Sequence, residues 1–537
     1  DKGHTYALIW TTTPWTIPAN KAIAANSDIE YVWVKVGDDA LLLAKELVES
    51  SMEAAKVTEY EVLPGVMKGT DIEGLRFVHP MYEDRKVPVI LGDHVTLEAG
   101  TGLVHTAPDH GVEDFEVCKK YPDWHLEPIG TVGPDGKYTS AVPGYEGKFA
   151  LDMNVEMIKA LAASGALFAK GSLRHQYAHC WRCKNPIIYR ATEQWFSSVD
   201  GYRKKALEAI DQVQWIPSWG HDRIYNMIRD RGDWCISRQR VWGVPIPIFY
   251  CREHNHAVIT DETIAHLQEI FAKEGSDAWW AHTEKELLPE GFKCPECGCT
   301  EFRKESDIMD VWFDSGCTHQ GVLCHDPELA YPADMYLEGS DQHRGWFNSS
   351  LLTSVAANGI APYKAVLTHG FTVDGEGRKM SKSVGNTVAP QEVIDQYGAD
   401  VMRLWVSSAD YQGDVRLSPK ILKQLSDVYR KIRNTFRFLL GNINDFNPET
   451  DAVSYKDMSE IDKWALLRLE QVLETVTEAY ENYQFHVMYH TIHNFCTVDL
   501  SSIYLDVTKD RMYTEKTDAR ERRSAQTPMY IILDTLV

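Results

Sequence analysis

The chain lacks any apolar run close to the roughly eighteen residues that a membrane-spanning helix needs. It also has no secretory-signal composition and no low-complexity tract. These absences argue against a membrane partner and predict a soluble, cytoplasmic protein.

Cysteine and positive charge are both scarce. The 11 cysteines are odd in number, and several fall in Cys-x-x-Cys pairs, which favour metal binding over disulfides inside a cell. Lys and Arg total 55 against 78 Asp and Glu, a net charge of −23. This balance excludes a general basic coat for nucleic acid but leaves room for local basic patches.

At 537 residues the chain is long enough for several domains. From Ala7 to about Ala150 the pattern is strand and turn, with a β-branched and aromatic strand predicted at Tyr31–Val36 and a turn after it. A helix is predicted over Leu151–Ala169. Between Asp307 and Asp410, apolar and helical segments alternate as in an α/β sheet.

From Ser418-Pro419, a helix start with proline in its first turn, the pattern is helical to the end. Lys and Arg cover much of the polar face of the first helix. Alone, this predicts a solvated bundle face, and a phosphate-binding face only if other motifs imply RNA.

The most informative stretch is DGEGRKMSKSVGN, from Asp374 to Asn386. It is a glycine-flanked loop whose cations, including Lys379 and Lys382, suit closure over a polyphosphate as charge develops in a transition state. Two lysines alone would be an ordinary basic turn. The complete Lys-Met-Ser-Lys-Ser motif, however, resembles the signature loop of class I aminoacyl-tRNA synthetases.

Three further motifs resemble the branched-aliphatic subgroup of this family, and within it the isoleucine branch of bacterial type. They are WCISRQRVWGVPIP at Trp234–Pro247, DVWFDSG at Asp310–Gly316 and EGSDQHRGWF at Glu338–Phe347. The resemblance covers essentially the whole chain. It implies ATP-dependent attachment of isoleucine to its tRNA with Mg²⁺, by a monomer.

The resemblance also implies a multidomain α/β fold with a β-rich editing domain, the second half of a Rossmann-type catalytic domain and an all-α anticodon-binding bundle. The expected boundaries are 1–170 for editing, 171–250 for the return into the catalytic domain, 251–305 for a zinc-knuckle-like insertion, 306–375 for the Rossmann half, 376–417 for the signature loop and stem contacts, and 418–537 for an incomplete bundle.

Catalytic roles follow from the matched positions. Glu338 matches the family residue that contacts the aminoacyl-adenylate, where a carboxylate suits the substrate's α-ammonium. Lys382 matches an ATP contact, and Lys379 assists on the phosphates. The other matched positions of the adenylate site are Asp341, Gln342, Trp346 and His369. Trp346 could equally be a core residue.

The segment WTTTPWTIPAN, Trp10–Asn20, matches a wall of the family's editing pocket, which hydrolyses valine misattached to the isoleucine tRNA. The implied editing residues are Thr11, Thr12, Thr13, Asn20, His105 and Asp114. Asp114 matches the carboxylate that binds the α-ammonium, and His105 the residue whose bulk helps exclude isoleucine. Singly, the threonines could be strand residues with cross-strand hydroxyl bonds and His105 a core histidine.

Two paired clusters of candidate ligands have the spacing of tetrahedral structural zinc. The expected Zn²⁺ ligands are Cys251, His254, Cys294 and Cys297, with His256 and Cys299 nearby. We expect the insertion to have little hydrophobic core of its own and to be stabilised by the bound metal. A second pair, Cys180 and Cys183, stands where some relatives bind zinc with partners from outside this chain.

The family's other signature, His-x-Gly-His, does not occur in the sequence, which also begins at Asp1 without Met. We therefore interpret the chain as a fragment. Three alternatives stay open: a standalone deacylase of mischarged tRNA, which would need neither the signature loop nor the bundle, a valine-type synthetase, and a tRNA-binding remnant without catalysis.

The missing signature predicts that the purified chain alone does not form adenylate, because half of the nucleotide site is absent. Isoleucine-dependent exchange of pyrophosphate into ATP should stay at the level measured without isoleucine. Robust exchange from pure material would contradict the fragment interpretation.

Overall fold

The computed structural model describes residues 4–537. The chain divides into two compact units, one ending at Glu193 and the other beginning at Gln194. The segment expected to be the editing domain lies within the first unit. None of the described helices is both long and apolar enough to cross a membrane.

The first unit is built mainly of strands. They are β1 Thr5–Ala7, β2 Ala22–Ala25, β3 Glu30–Val36, β4 Asp39–Ala44, β5 Glu61–Val62, β6 Met67–Lys68, β7 Arg76–Val78, β8 Lys86–Leu91 and β9 Val104–Thr106. The helices are α1 Val48–Ala54, α2 Gly69–Ile72, α3 Val112–Lys119 and α4 Asn154–Ala163. One sheet has the order β1-β4-β3-β5 with β6 also paired to β3, and the other has the order β7-β8-β2-β9.

β3 and β4 form an antiparallel hairpin, so the strand predicted at Tyr31–Val36 and the turn after it are confirmed. Gly37 in its turn has φ of 60°, a left-handed conformation that costs glycine little. Tyr31 and Leu42 of the hairpin share a core with Ile23 of β2 and Val89 of β8. The two sheets are therefore joined by apolar packing.

The helix predicted over Leu151–Ala169 is shorter than expected. A 3₁₀ turn covers Ala150–Met153, and α4 then ends at Ala163. Gly165 takes a positive φ of 75°, and the amide of Ala166 turns back to the Leu161 carbonyl at 2.9 Å. This is a common way for a helix to end.

The threonine segment is neither a strand nor an α-helix. Thr11–Thr13 are irregular, and Pro14–Ala19 form a 3₁₀ helix with Pro14 at its first position. Proline suits that position because it has no amide hydrogen to leave unsatisfied. The 3₁₀ helix is almost wholly buried from Trp15 onward.

The second unit contains twelve strands among its described residues. They are β10 Phe196–Ser197, β11 Gln214–Ile216, β12 Trp234–Cys235, β13 Ser237–Arg238, β14 Phe249–Cys251, β15 Ala257–Val258, β16 Phe302–Lys304, β17 Ile308–Met309, β18 Ala333–Gly339, β19 Tyr363–His369, β20 Thr372–Val373 and β21 Val415–Arg416.

The second unit also contains sixteen α-helices among its described residues. They are α5 Arg203–Asp211, α6 Trp219–Arg229, α7 Asp261–Glu274, α8 Ala278–Ala281, α9 Glu284–Leu287, α10 Val311–Gly316, α11 Trp346–Asn358, α12 Pro390–Tyr397, α13 Ala399–Ser408, α14 Pro419–Asn442, α15 Pro448–Asp451, α16 Glu460–Glu481, α17 Phe485–Asn494, α18 Leu505–Val507, α19 Lys509–Thr514 and α20 Arg520–Leu536.

The second unit contains a parallel sheet with the order β11-β19-β18. α11 connects β18 to β19, as a parallel crossover requires. Phe347 and Leu351 of this helix pack with Val366 of β19 and Ile224 of α6. The α/β arrangement predicted between Asp307 and Asp410 is therefore confirmed.

The cysteine-bounded insertion has a core of its own, and the expectation of little core is wrong. β14 is the central strand of an antiparallel sheet with β15 and β16. Trp279 is fully buried, with its ring centroid 5.0 Å from that of Phe249. Leu267 of α7 and Leu287 of α9 complete this cluster.

The chain from α14 onward is helical, as predicted. The Ser418 hydroxyl accepts the amide of Ile421 at 3.3 Å and so caps α14. A shared core joins Leu439, Leu469 and Met529, from α14, α16 and α20.

Candidate functional site

The first unit contains a cavity of about 360 Å³ that brings together five of the six predicted editing residues. Its polar lining comprises Thr11, Thr12, Thr13, Thr16, His94, Thr96, Glu98, Thr101, His105, His110 and Asp114. The threonine segment supplies one side, and residues around β9 and the start of α3 supply the other. Asn20 does not line the cavity but lies behind His105.

The threonines form a local hydroxyl network. The amide of Thr13 donates to Thr11 Oγ1 at 3.1 Å, and the Thr16 hydroxyl donates to the Thr13 carbonyl at 2.8 Å. Thr12 is exposed. These bonds run along the chain, so the alternative of a strand with cross-strand hydroxyl bonds is wrong.

His105 is held in one tautomer by two side chains. Asn20 Nδ2 donates to His105 Nδ1 at 2.6 Å and to the Ala22 carbonyl at 3.1 Å, which sets the orientation of the amide. The ring proton therefore sits on Nε2, which donates to Thr16 Oγ1 at 2.9 Å. Burial lowers the pKa of His105 to about 3, so the ring is neutral at physiological pH.

Asp114 is the carboxylate of the cavity. It lies in the first turn of α3, where the helix dipole favours a negative charge. Its Oδ2 accepts the amide of Ala107 at 2.9 Å. Burial raises the pKa of Asp114, while the Ala107 amide and nearby His94 oppose the rise. A cationic ligand would find a partly desolvated counter-charge here.

Thr16, His94, Glu98 and His110 are among the polar lining residues that were not singled out from the sequence. Thr16 could have been, because it follows Thr13 by three residues and so returns to the same side of a 3₁₀ helix. His110 is held on both nitrogens, by the Tyr189 carbonyl and Thr131 Oγ1, each at 2.9 Å. His94 and Glu98 lie in an irregular loop after β8, where no motif marks them.

In the second unit, the predicted adenylate residues gather where two parallel strands end. Glu338 and His369 lie at the carboxyl ends of β18 and β19, and Gly339 pairs with His369. A Cβ at Gly339 would lie 2.8 Å from Asp341 Oδ1 and 3.6 Å from His369 Cε1. Such strand ends are where open α/β sheets bind ligands.

Gln342 and Trp346 brace this edge. Gln342 Oε1 accepts the Trp346 amide at 2.9 Å, and Trp346 Nε1 donates to the Ser315 carbonyl at 2.9 Å. The Trp346 ring stacks on Tyr336, with centroids 4.0 Å apart. These contacts give Trp346 a packing role, whatever else it touches.

A second cavity, of about 240 Å³, is lined by residues of three of the sequence motifs, and Asp310 links two of these motifs. Asp310, at the start of DVWFDSG, accepts Trp234 Nε1 at 3.2 Å and Arg238 Nη2 at 2.9 Å. Its other oxygen caps α10 by accepting the Trp312 amide at 3.1 Å. One buried carboxylate thus holds both motifs in register.

The signature loop is clasped at its base and open at its tip. Asp374 accepts the amide of Arg378 at 2.8 Å, its Nε at 2.9 Å and Asn386 Nδ2 at 3.0 Å. Hydrogen bonds from Asn386 and Arg378 lower the pKa of Asp374 to about 2. Lys379 and Lys382 are exposed and form no ion pair among the described residues.

The insertion brings three cysteines and one histidine together as a possible metal site. Ligand atoms of Cys251, His256, Cys294 and Cys297 lie within 4.8 Å of one another. His254 instead groups with Glu253 and Cys297 and is exposed. The histidine of this four-residue cluster is therefore His256, not the His254 expected from spacing.

The two turns of this cluster share one backbone pattern. Cys251 and Cys294 each donate their amide to the carbonyl five residues later, at 3.0 and 2.9 Å. The carbonyl of Cys251 accepts the amide of Asn255, and the carbonyl of Cys294 accepts the amide of Gly298. Asn255 and Gly298 both have positive φ. β14 ends at Cys251 and pairs with β15, which begins at Ala257, so His256 lies beside Cys251.

The Cys180–Cys183 pair forms a third turn of the same kind. The Cys180 amide donates to the Asn185 carbonyl and the Lys184 amide to the Cys180 carbonyl, both at 2.8 Å, and Lys184 has φ of 63°. No third candidate ligand joins this pair among the residues described from 4 to 537.

The family described as tRNA synthetases class I (I, L, M and V) matches residues 1–418, and the anticodon-binding domain of tRNA ligase matches residues 462–537. The chain belongs to the class I tRNA synthetases.

Its most similar relatives include isoleucine-tRNA ligases. The ligase of Caldicellulosiruptor bescii is 58% identical over 99% of this chain and 57% of its own length. That of Caldanaerobacter subterraneus subsp. tengcongensis is 57% identical over 100% of this chain and 57% of its own length. The resemblance to the isoleucine branch is confirmed, and the chain spans about 57% of the length of these relatives.

Among solved structures, methionyl-tRNA synthetase of Mycobacterium tuberculosis with methionyl-adenylate has a TM-score of 0.46 at 17% identity. The match covers 66% of this chain and 62% of that one.

Proposed function

We propose that this chain is part of an enzyme that attaches isoleucine to its tRNA at the expense of ATP. We further propose that its first unit hydrolyses valine misattached to that tRNA. The high identity to isoleucine-tRNA ligases supports the charging activity. The cavity around His105 and Asp114 is the observation that carries the editing activity.

For charging, the second unit offers a fixed carboxylate and a clasped basic loop. Glu338 supplies the counter-charge for the α-ammonium of isoleucine, and His369 and Asp341 lie beside the nucleotide. Lys379 and Lys382 close on the triphosphate of ATP, whose Mg²⁺ is held largely by the phosphates. Cations placed where charge develops stabilise the transition state of adenylate formation.

A second site is needed because the first cannot discriminate enough. One methylene contributes only about 1–3 kcal/mol, or 10- to 200-fold, in a hydrophobic pocket, and the isoleucine enzymes are the familiar example of this limit. A cavity that admits the valyl ester and excludes the larger isoleucyl ester multiplies the selectivity of the first.

The electrostatics of the cavity support different proposed roles for its two main residues. Asp114 binds the α-ammonium of misattached valine, because it is the partly desolvated carboxylate and keeps Oδ1 available after Oδ2 takes the Ala107 amide. Both ring nitrogens of His105 are already engaged by Asn20 and Thr16. His105 therefore contributes bulk and not a proton. The hydroxyls of Thr11, Thr12 and Thr13 hold the terminal ribose or a water.

We propose that the ion of the insertion is Zn²⁺. The donor set of Cys251, Cys294, Cys297 and His256 is of the tetrahedral type that structural zinc prefers. His256 Nδ1 is buried and has no hydrogen-bond partner among the described residues, although Glu296 lies 3.0 Å away. When bound, Zn²⁺ would tie the two turns of the insertion together.

Asp114→Ala is expected to reduce the hydrolysis of valyl-tRNA by the purified chain at least 100-fold, because the α-ammonium loses its counter-charge. Release of radiolabelled valine measures the rate. Glu113→Ala, an exposed neighbour on the same helical turn, is the matched control and should hydrolyse at the wild-type rate. Retained hydrolysis in Asp114→Ala would remove Asp114 from this role.

His105→Ala is expected to relax the selectivity of the cavity. Removing the ring makes room for one more methylene, so hydrolysis of correctly charged isoleucyl-tRNA should rise at least 10-fold while valyl-tRNA is still hydrolysed. Parallel deacylation assays with both esters measure this ratio. A loss of both activities together, in a variant that remains folded, would instead favour a chemical role for His105.

His256→Ala is expected to lower the zinc content by about one ion per chain, because it removes one of four ligands. His254→Ala should leave the content unchanged. Elemental analysis after gel filtration with a weak chelator measures both, and wild-type protein supplies the reference. The opposite result, with zinc lost only in His254→Ala, would contradict the proposed ligand set.

A further inference from the structure

One segment of the first unit is free of acidic residues. Between Glu156 and Glu193 the sequence has no Asp or Glu, although the chain has 78 of them and a net charge of −23. We call residues 166–192 the basic segment. Its cations and aromatic residues are Lys170, Arg174, Arg182, Lys184, Arg190, Phe168, Tyr177, Trp181 and Tyr189. The basic segment therefore has a positive net charge, whereas the net charge of the whole chain is negative.

The basic segment has an ordered tip although it contains no helix or named strand. The amide of Ile187 donates to the Ala178 carbonyl at 3.1 Å, and His179 forms a β-bridge with Pro186. The Cys180–Cys183 turn closes this narrow hairpin. Trp181 therefore lies at the hairpin tip.

The tip presents large aromatic surface to solvent. Trp181 is 82% exposed and Tyr189 66% exposed, so neither gains much from burial. Lys184 Nζ donates to the Trp181 carbonyl at 2.6 Å, which supports the turn. Within the first unit, the packing leaves most of the Trp181 ring exposed to solvent.

Three cations of the basic segment are not neutralised. Lys170, Arg174 and Arg182 are exposed and take part in no ion pair within the described residues. Exposed aromatic rings beside unpaired cations are the combination that binds single-stranded nucleic acid, because rings stack on bases while cations contact phosphates. An apolar protein partner would not require the excess of positive charge.

We propose that the basic segment binds the single-stranded 3′ end of the tRNA, with Trp181 stacking on a base and Arg182 contacting a phosphate. This rests on the proposed function, which makes tRNA the substrate. It adds a surface outside the cavity, on which the strand is held while its terminal ester is hydrolysed. A polyanionic partner is otherwise unfavourable for a chain of charge −23, so the contact must be local.

The test is binding of a fluorescent single-stranded RNA ending in CCA, and of the whole tRNA, measured by anisotropy at several salt concentrations. Trp181→Ala should weaken binding of the single strand about 5- to 100-fold, the usual range for losing one stacked base. Trp181→Phe should retain most of the affinity. Arg182→Glu should lower the dependence of log Kd on log salt by about one unit or more.

Lys205→Glu is the matched control, because it makes the same charge change at an exposed residue of α5 that has no ion pair among the described residues. It should change the affinity no more than twofold. Zinc content and circular dichroism of every variant should match the wild type, so that a loss of binding is not a loss of folding.

The outcomes separate the two proposals. If wild-type protein hydrolyses valyl-tRNA but Trp181→Ala and Arg182→Glu bind RNA as Lys205→Glu does, the surface proposal is overturned and the editing proposal stands. If a blunt RNA duplex is weakened as much as the single strand, stacking by Trp181 is also overturned. If wild-type protein neither binds nor hydrolyses the tRNA, the proposed function itself fails.

Discussion

The hydrogen bond from Asn20 to His105 ties together the parts of the first unit that form its cavity. Asn20 follows the 3₁₀ helix that comes after Thr11–Thr13 and contains Thr16, and His105 lies in β9. Because His105 is buried and neutral, its other nitrogen must donate, and Thr16 accepts. An unsatisfied buried partner would cost about 1–3 kcal/mol. The cavity wall is therefore set by one chain of polar contacts.

In the second unit, the residues at the strand ends are held by more contacts than the tip of the signature loop. Glu338 and His369 are positioned by strand register, and Trp346 is packed on Tyr336 and bonded to Ser315. The signature loop is held only at its base by Asp374, and its lysines are free at the tip. Such an arrangement suits the polyphosphate binding and product release that we propose for this loop.

The three cysteine turns show what the sequence spacing of candidate metal ligands can and cannot predict. The pairs at Cys251, Cys294 and Cys180 look alike in sequence and have the same backbone hydrogen bonds. Among the described residues, only the turns at Cys251 and Cys294 come together. The antiparallel pairing of β14 with β15 places His256 beside Cys251, and both lie close to Cys294 and Cys297. Spacing could not separate His254 from His256, since both stand near the strand turn and only the register assigns one to the cluster.

The sequence by itself determined the family, the helical region after Ser418, the α/β half and five of the residues that line the cavity, because ordered motifs and periodic apolar patterns are local signals. The tertiary structure decided that His105 has no free nitrogen, that Asn20 supports the wall from behind, that α4 ends at Ala163 and that Trp279 gives the insertion a core. These properties depend on burial and on partners distant in sequence, which no local pattern encodes.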